Sequence, residues 1–160
     1  MKPFILAALA AAALQLAPIA AQATETIHVF EPDSFKQIVA SEKGKPFVVL
    51  VWSLDCEYCQ RSFQALAEAR KKSGVDVVTI ATDRADDPEA AALIRRKLES
   101  SGLGSGMWAF GPAPAERLRY AIDPKWRGEI PRSYWFDKEG KAVAYSGMIT
   151  EATVAKLLVK

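Results

Sequence analysis

Residues 47–59 of this 160-residue chain read FVVLVWSLDCEYC. Phe47–Trp52 is a continuous apolar run rich in β-branched residues, which is typical of a strand buried on both faces of a sheet. A short polar loop follows, and from Glu57 onward apolar residues recur at the spacing of a helix. The stretch therefore predicts that two cysteines, Cys56 and Cys59, lie where a buried strand gives way to a helix.

Strands and helices are predicted to alternate along most of the chain. Short apolar runs predict further strands at residues 27–30, 75–81, 107–110, 133–136 and 142–146. Helical spacing and capping residues predict helices at residues 35–40, 57–73, 87–100 and 114–122, and one that begins after Thr150. This alternation indicates a layered α/β fold with helices on both faces of the sheet.

The composition favours one domain with a buried core and limits the classes of partner. Half of the residues are hydrophobic and a quarter are charged. The net charge is only +2, which argues against a nucleic acid partner, because such proteins usually carry a basic patch. One His and two Cys would supply at most three ligands of these types, so we predict no metal site and no cofactor.

The first 23 residues are typical of a secretory signal peptide. Lys2 supplies the positive start, Phe4–Ala17 is almost wholly apolar, and Ala21–Ala23 resembles a cleavage site. The apolar stretch is short for a membrane span of about 20 residues, so an uncleaved N-terminal anchor is the less favoured alternative. We expect a signal peptide over 1–23 and one domain over 24–160, located in the periplasm without stable membrane insertion.

Their predicted location makes Cys56 and Cys59 candidates for redox chemistry. In an oxidising compartment two thiols tend to pair. Backbone N–H groups and the positive end of the dipole at a helix N-terminus stabilise a thiolate, and Cys56 would lie closest to them. We therefore predict that Cys56 is the exposed nucleophile and that Cys59, one turn further on, is the buried thiol that resolves a mixed disulfide.

Three other roles for a Cys-x-x-Cys pair compete with this prediction. A structural zinc site needs about four ligands, whereas the chain has no second cysteine pair and His28 is distant in sequence. Covalent haem attachment needs a His directly after the second cysteine, where this chain has Gln60. A purely structural disulfide stays open as an alternative, although so small a loop gains little from the entropy of the unfolded chain.

Two segments together resemble the signatures of the thioredoxin superfamily. Residues 49–59, with Trp52 four positions before the first cysteine, resemble its active-site segment. Residues 128–134, GEIPRSY, look like its cis-proline loop, and residues 137–147 are similar to its closing hairpin. The resemblance covers nearly all of residues 24–160 and implies a thioredoxin-like fold, with a central mixed sheet and helices on both faces.

The stretch between Cys56 and Pro131 is longer than in plain thioredoxin and is predicted to hold an extra helix and strand at about residues 88–110. With the export signal, it resembles the TlpA/ResA-like branch of extracytoplasmic thiol–disulfide oxidoreductases. This implies reduction of disulfides in client proteins by a Cys56/Cys59 dithiol, electrons from a membrane or periplasmic donor, and for some members a part in cytochrome c maturation. The alternatives are a thiol oxidase with the same site, or a thioredoxin-like binding module with a structural disulfide.

The resemblance also implies roles for residues around the cysteines. A cis Ile130–Pro131 bond would leave the backbone of Ile130 free to pair with an extended client segment. Client contacts are expected from Ile130, Trp52, Tyr58, Trp126 and Arg132. Arg132 is also expected to help stabilise the Cys56 thiolate.

Two acids flank the first cysteine and bear on the direction of the reaction. Asp55 and Glu57 are expected to raise the pKa of Cys56, in opposition to the helix N-terminus. A less stabilised thiolate makes a more reducing couple, so the sequence favours a reductant. The proton shuttles usual in the family are missing, because Leu50 and Ser62 occupy their positions.

Overall fold

Six strands form one sheet in the computed structural model, which describes residues 26–158. They are β1 (His28–Phe30), β2 (Phe47–Trp52), β3 (Asp76–Arg84), β4 (Met107–Phe110), β5 (Arg132–Phe136) and β6 (Ala142–Ser146). Their order across the sheet is β1-β4-β3-β2-β5-β6. The four strands β1, β4, β3 and β2 are parallel to one another, whereas β5 is antiparallel to both β2 and β6. The strand that leads to the cysteines, β2, therefore lies inside the sheet with a neighbour on each side.

Five helices cover both faces of this mixed sheet. They are α1 (Ser34–Ser41), α2 (Glu57–Ser73), α3 (Pro88–Ser100), α4 (Ala115–Ile122) and α5 (Glu151–Leu157). Buried side chains of α2 and α3 pack on one face together with α5, and those of α1 and α4 pack on the other. The predicted fold class is confirmed, including the extra helix and strand, which are α3 and β4.

Strand β2 is buried on both faces, as its apolar run predicts. All six of its residues are at most 2 % exposed. Val48, Leu50 and Trp52 point to the face that carries α2, while the residues between them point to the face of α1 and α4. This alternation follows from the two-residue period of a strand, and it fixes the point where the chain leaves the sheet toward Cys56.

Strand β3 continues three residues beyond its predicted end at Ala81. Ala81 pairs with Ala109 and Arg84 pairs with Phe110, so that two residues of β3 have no counterpart on β4. Such a bulge bends a strand and redirects the side chains within it. The bulge begins directly after the pair of Ala81 with the last residue of β2, at the edge of the sheet where the cysteine loop starts.

Two helix ends carry residues that are typical of caps. Gly74 ends α2 with a positive φ of 71°, a conformation that glycine adopts without steric cost. Thr150 caps α5 by accepting a hydrogen bond from the N–H of Thr153 at 3.2 Å. These caps fix the C-terminal end of α2 and the N-terminal end of α5, which pack on the same face of the sheet.

The predicted signal peptide at residues 1–23 lies outside the described residues. Within residues 26–158, no helix is long and apolar enough to cross a membrane.

Candidate active site: a cysteine pair at the end of a central strand

Cys56 and Cys59 form a disulfide at the N-terminal end of α2. Cys56 is the N-cap residue, with the extended backbone angles (φ −85°, ψ 99°) usual at that position. Its N–H donates to the carbonyl of Ser53 at 3.2 Å, and its own carbonyl accepts from the N–H of Cys59 at 3.1 Å. The loop therefore presents Cys56 at the positive end of the helix dipole, where a thiolate is stabilised.

The two sulfur-bearing residues differ in exposure. Cys59 is 1 % exposed and belongs to the core cluster between α2 and the sheet. Cys56 is partly exposed and only packs against the border of that cluster. An incoming molecule therefore meets Cys56 first.

We predict that iodoacetamide modifies Cys56 more than about tenfold faster than Cys59 in the reduced protein, because only Cys56 combines access with the helix N-terminus. Mass spectrometry of peptides after short labelling times measures both rates. Unfolded protein in guanidinium, in which the two rates should converge, serves as the control. Equal rates in the folded protein would contradict the assignment of Cys56 as the attacking thiol.

Trp52 supports the site from inside the core. Its ring is fully buried and meets the ring of Phe63 from α2 edge-to-face, with centroids 4.8 Å apart at an angle of 87°. Such aromatic contacts add to the free energy of burying the rings. Trp52 thus holds α2 against the sheet, and it has no exposed surface with which to contact a client.

Ser62 links the cysteine helix to the segment before α5. Its hydroxyl is fully buried, donates to the carbonyl of Tyr58 at 3.2 Å and accepts from the N–H of Ile149 at 2.9 Å. A buried hydroxyl that satisfies a distant backbone N–H serves as a cross-link between elements. Ser62 is therefore engaged in a structural contact between α2 and the segment before α5.

The predicted proline loop lies at the same edge of the sheet as the cysteines. The Ile130–Pro131 peptide bond is cis, as the sequence predicted. Arg132 pairs with Val51 near the end of β2, which places Pro131 beside the start of the cysteine loop. Pro131 is buried and Ile130 is half-buried. The roles of both residues in client binding stay predictions.

The Arg132 side chain lies on the other face of the sheet from Cys59. It shares that face with Tyr134, which packs with α1 and α4. Its guanidinium is 2.8 Å from the carboxylate of Asp123 and 2.6 Å from the hydroxyl of Ser146, and its side chain is only 13 % exposed. The structure therefore does not bring Arg132 to the cysteines, and the expectation that it stabilises the thiolate or contacts clients finds no support.

Asp123 is held as a carboxylate in this network. Burial by itself would raise its pKa, but hydrogen bonds from the Lys125 N–H and the Arg132 guanidinium outweigh burial and hold the pKa below the ordinary value. Burial also raises the pKa of Tyr134 to about 12, so its phenol stays protonated and donates to Asp123 at 3.3 Å.

We predict that Asp123→Ala lowers the free energy of unfolding by about 2 kcal/mol at pH 7, because the largely buried Arg132 keeps only the more exposed Glu129 carboxylate, 3.4 Å away, as a charged partner. The pKa of Asp123 is lower in the folded state than the unfolded value of 3.8. The contribution is therefore fully present above that value and is lost as the pH falls through the folded pKa. Urea unfolding from pH 7 down to pH 3 measures this difference.

The matched control is Glu116→Ala, which removes an exposed ion pair with Arg119 within α4, the helix that ends directly before Asp123. It should change the free energy of unfolding by less than about 1 kcal/mol. If Asp123→Ala lowered the free energy of unfolding by the same amount at pH 7 and at pH 3, the ion-pair explanation would be wrong.

Three predicted site residues are exposed next to Cys56. Tyr58 is 62 % exposed, and Asp55 and Glu57 also face solvent. Trp126, by contrast, is 6 % exposed, and its indole N–H donates to the carbonyl of Glu129 at 2.8 Å. Trp126 therefore holds the segment that enters the proline loop and offers little surface to a client.

One residue near the site was not predicted from the sequence. The carboxylate of Asp83, in the bulge of β3, accepts a hydrogen bond from the N–H of Leu54 at 2.9 Å. Burial raises the pKa of Asp83, the charge of Asp55 adds to this, and the Leu54 N–H and the Lys97 ammonium oppose it. In the sequence, an Asp after a strand indicates a turn, and only the bulge directs this one toward the cysteine loop.

Within residues 26–158, no group of three or more His, Cys, Asp or Glu is arranged to hold a metal ion.

Comparison with solved structures finds the same architecture in several bacterial proteins. A thiol:disulfide interchange protein of the thioredoxin family from Chlorobium tepidum is 21 % identical, with a TM-score of 0.55, over 74 % of this chain and 81 % of that chain. A secreted disulfide oxidoreductase of Mycobacterium tuberculosis, homologous to E. coli DsbE, is 17 % identical, with a TM-score of 0.53, over 74 % and 86 % of the two chains. The chain has a thioredoxin-like fold.

The thioredoxin domain of a thiol-disulfide oxidoreductase from Bacteroides vulgatus shares this fold, with 20 % identity and a TM-score of 0.53 over 75 % of this chain and 84 % of that chain. No protein-family model matches the sequence, and a search of curated proteins finds no match either. Identities of this size show a common fold, so the resemblance to the thioredoxin-like fold is confirmed. In this fold, the cysteine pair and the proline loop occupy one edge of the sheet.

Proposed function

We propose that the protein is a periplasmic thiol–disulfide oxidoreductase that reduces disulfides in client proteins. The observation that carries the proposal is the pairing of a partly exposed Cys56 with a buried Cys59 at the N-terminal end of α2. Exchange between a dithiol and a disulfide needs one accessible nucleophile and one sheltered thiol that acts second.

In the reduced protein, the Cys56 thiolate attacks one sulfur of a client disulfide. A bond forms between Cys56 and that sulfur, and the other client sulfur leaves as a thiolate that takes a proton from water. Cys59 then loses its proton and attacks the sulfur of Cys56, which releases the second client thiolate and closes the Cys56–Cys59 disulfide. Two electrons pass from the dithiol to the client, and a dithiol donor at the membrane or in the periplasm restores the reduced pair.

The acids around Cys56 support reduction as the direction. Asp55 and Glu57 flank it in sequence, and the carboxylate of Asp83 reaches the same loop. Negative charges disfavour a thiolate and so disfavour the reduced form relative to the disulfide. A couple with a less stable reduced form is the stronger reductant.

The region of residues 1–23 supports export, because it has the charged, apolar and small-residue order of a signal peptide. One protein with a similar structure, that of M. tuberculosis, is described as secreted. A part in cytochrome c maturation, which the sequence resemblance implies for some members of the branch, belongs to the same proposal. Its test is whether c-type cytochromes still acquire haem in cells that lack the protein.

The surface next to the cysteines is suited to an extended client segment. Ile130 precedes the buried Pro131 at this edge, and its backbone would pair with the client as an added strand. The exposed ring of Tyr58, two residues after Cys56, would pack on the client's apolar side chains.

The test compares the rate at which dithiothreitol reduces the disulfides of insulin with and without the protein, and the rate is measured as the increase in turbidity. The proposal predicts a clear acceleration that disappears when both cysteines are alkylated beforehand. A structural disulfide in a binding module would give no acceleration. A thiol oxidase would instead speed the appearance of activity in reduced, unfolded ribonuclease while leaving insulin reduction slow.

A further inference from the structure

We propose that Asp83 and Lys97 are positioning residues that hold the loop before Cys56 from two sides and shift the reactivity of Cys56 in opposite directions. The inference rests on the proposed function, which it deepens by naming the groups that tune the nucleophile.

The two residues bind the two polar groups of one residue, Leu54. The carboxylate of Asp83 accepts from the Leu54 N–H at 2.9 Å, and the Lys97 ammonium lies 3.4 Å from the Leu54 carbonyl oxygen, a long hydrogen bond. Leu54 stands two residues before Cys56, inside the turn that the Ser53 carbonyl closes by accepting from the Cys56 N–H. The position of Cys56 at the helix N-terminus therefore depends on groups supplied by β3 and α3.

Both groups come from rigid parts of the fold. Asp83 lies in the bulge of β3, which directs its side chain out of the regular ladder. Lys97 lies on α3, which is anchored by the fully buried side chains of Ile94 and Leu98 and capped by Asp87. The extra helix thus contributes a charge to the cysteine loop as well as covering the sheet.

The charges of Asp83 and Lys97 are close enough to act on Cys56. Two residues span at most about 7 Å, so with the bonds out to the cysteine sulfur each of the two charges lies within about 14 Å of the Cys56 Sγ. At that distance one unit charge shifts the pKa of a thiol by about 0.2 unit at a dielectric constant of 80 and by about 0.9 unit at 20. Because Asp83 is partly buried, dissolved salt screens its charge less than that of a fully exposed group.

The other charged groups near Cys56 are exposed. Asp55 and Glu57 flank it in sequence, Arg61 follows five residues later on α2, and Arg96 lines the neighbouring groove between α2 and α3. Salt screens these groups more strongly than it screens a half-buried carboxylate. We therefore expect neutralisation of Asp83 or of Lys97 to shift the pKa of Cys56 more than neutralisation of any of these exposed groups.

The experiment neutralises each charge while keeping the hydrogen bond. Asp83→Asn keeps an acceptor for the Leu54 N–H, and Lys97→Gln keeps a donor for the Leu54 carbonyl. The rate of Cys56 alkylation is measured from pH 5 to pH 10 in protein reduced with a phosphine. Asp83→Asn should lower the midpoint pH by about half a unit, and Lys97→Gln should raise it by a similar amount. Asp83→Asn should also make the disulfide easier to reduce with glutathione.

Matched controls come from the opposite end of the sheet. Asp76 and Lys45 form an exposed ion pair at the start of β3, across from the first residue of β2. Asp76→Asn and Lys45→Gln change the net charge by the same amounts and should leave the midpoint unchanged. Asp83→Glu and Lys97→Arg keep the charges, and their midpoints should lie closer to that of the unaltered protein than those of the neutral variants.

Opposite shifts distinguish this role from a purely structural one. If the two residues only held the loop, the neutral variants would leave the midpoint unchanged where they keep the hydrogen bonds to Leu54, and would move it upward together where the bonds are lost and Cys56 leaves the helix N-terminus. Shifts of the same sign, or shifts no larger than those of the controls, would overturn the inference. Failure of the proposed function would appear separately: glutathione would not reduce the disulfide of the unaltered protein. The alkylation midpoint could still be measured in that case, because the phosphine reduces the protein beforehand.

Discussion

Cys56→Ser is expected to lower kcat/KM for disulfide reduction by at least about a thousandfold, because it removes the only accessible sulfur nucleophile of the pair. Cys59→Ser is expected to block turnover as well, but for a different reason. Its Cys56 still attacks, and the reaction stops at the mixed disulfide because no thiol remains to release the client. Turnover with insulin and mass spectrometry of the trapped adduct measure the two outcomes.

The two serine variants are each other's control, since both lose the Cys56–Cys59 disulfide and each replaces one sulfur by oxygen. Adducts should accumulate on Cys59→Ser and be nearly absent from Cys56→Ser. Adducts formed equally on both variants, or formed preferentially through Cys59, would show that the assignment of nucleophile and resolving thiol is wrong.

Phe63→Ala is expected to lower the free energy of unfolding by about 3–5 kcal/mol. Phe63 is 1 % exposed and meets the fully buried ring of Trp52, so that truncation leaves a cavity between α2 and β2. The loss should also loosen the start of α2 and speed the alkylation of Cys59, which belongs to the same cluster. Denaturant unfolding of the oxidised protein measures the first effect, and the labelling assay measures the second.

Tyr120→Ala is the matched control, because it also truncates an aromatic residue on a helix, but one that is 66 % exposed. It should change the free energy of unfolding by about 0.5 kcal/mol or less. A loss for Phe63→Ala close to that of the control would mean that the contact between Trp52 and Phe63 does not hold the cysteine helix in place.

The features that could be predicted from the sequence are those set by short-range patterns. The apolar run of β2 predicts a strand buried on both faces, and this strand has a neighbour on each side. The spacing of Cys56 and Cys59 after that strand predicts one accessible and one buried cysteine at a helix start, and in the structure Cys56 is partly exposed and Cys59 is buried. These patterns depend only on strand and helix periods, which operate within a few residues.

The features that could not be predicted depend on register and on irregularities between strands. Arg132 and Trp126 stand close to the proline loop in sequence, but strand alternation directs the arginine to the opposite face, where Asp123 neutralises it. Asp83 reaches Leu54 only because β3 bulges where it passes the end of β2. A bulge depends on the pairing of two strands distant in sequence, so no local pattern indicates it.

The most direct test of the account is the equilibrium of the Cys56–Cys59 pair with glutathione buffers of graded potential, followed by thiol labelling at pH 7. We expect a reversible two-electron transition with a midpoint between about −300 and −180 mV, in the range of reducing dithiol proteins. A midpoint well above about −180 mV would contradict the reducing direction and favour a thiol oxidase. A pair that stays oxidised in buffers down to about −300 mV would be a structural disulfide, and the proposed function would be wrong.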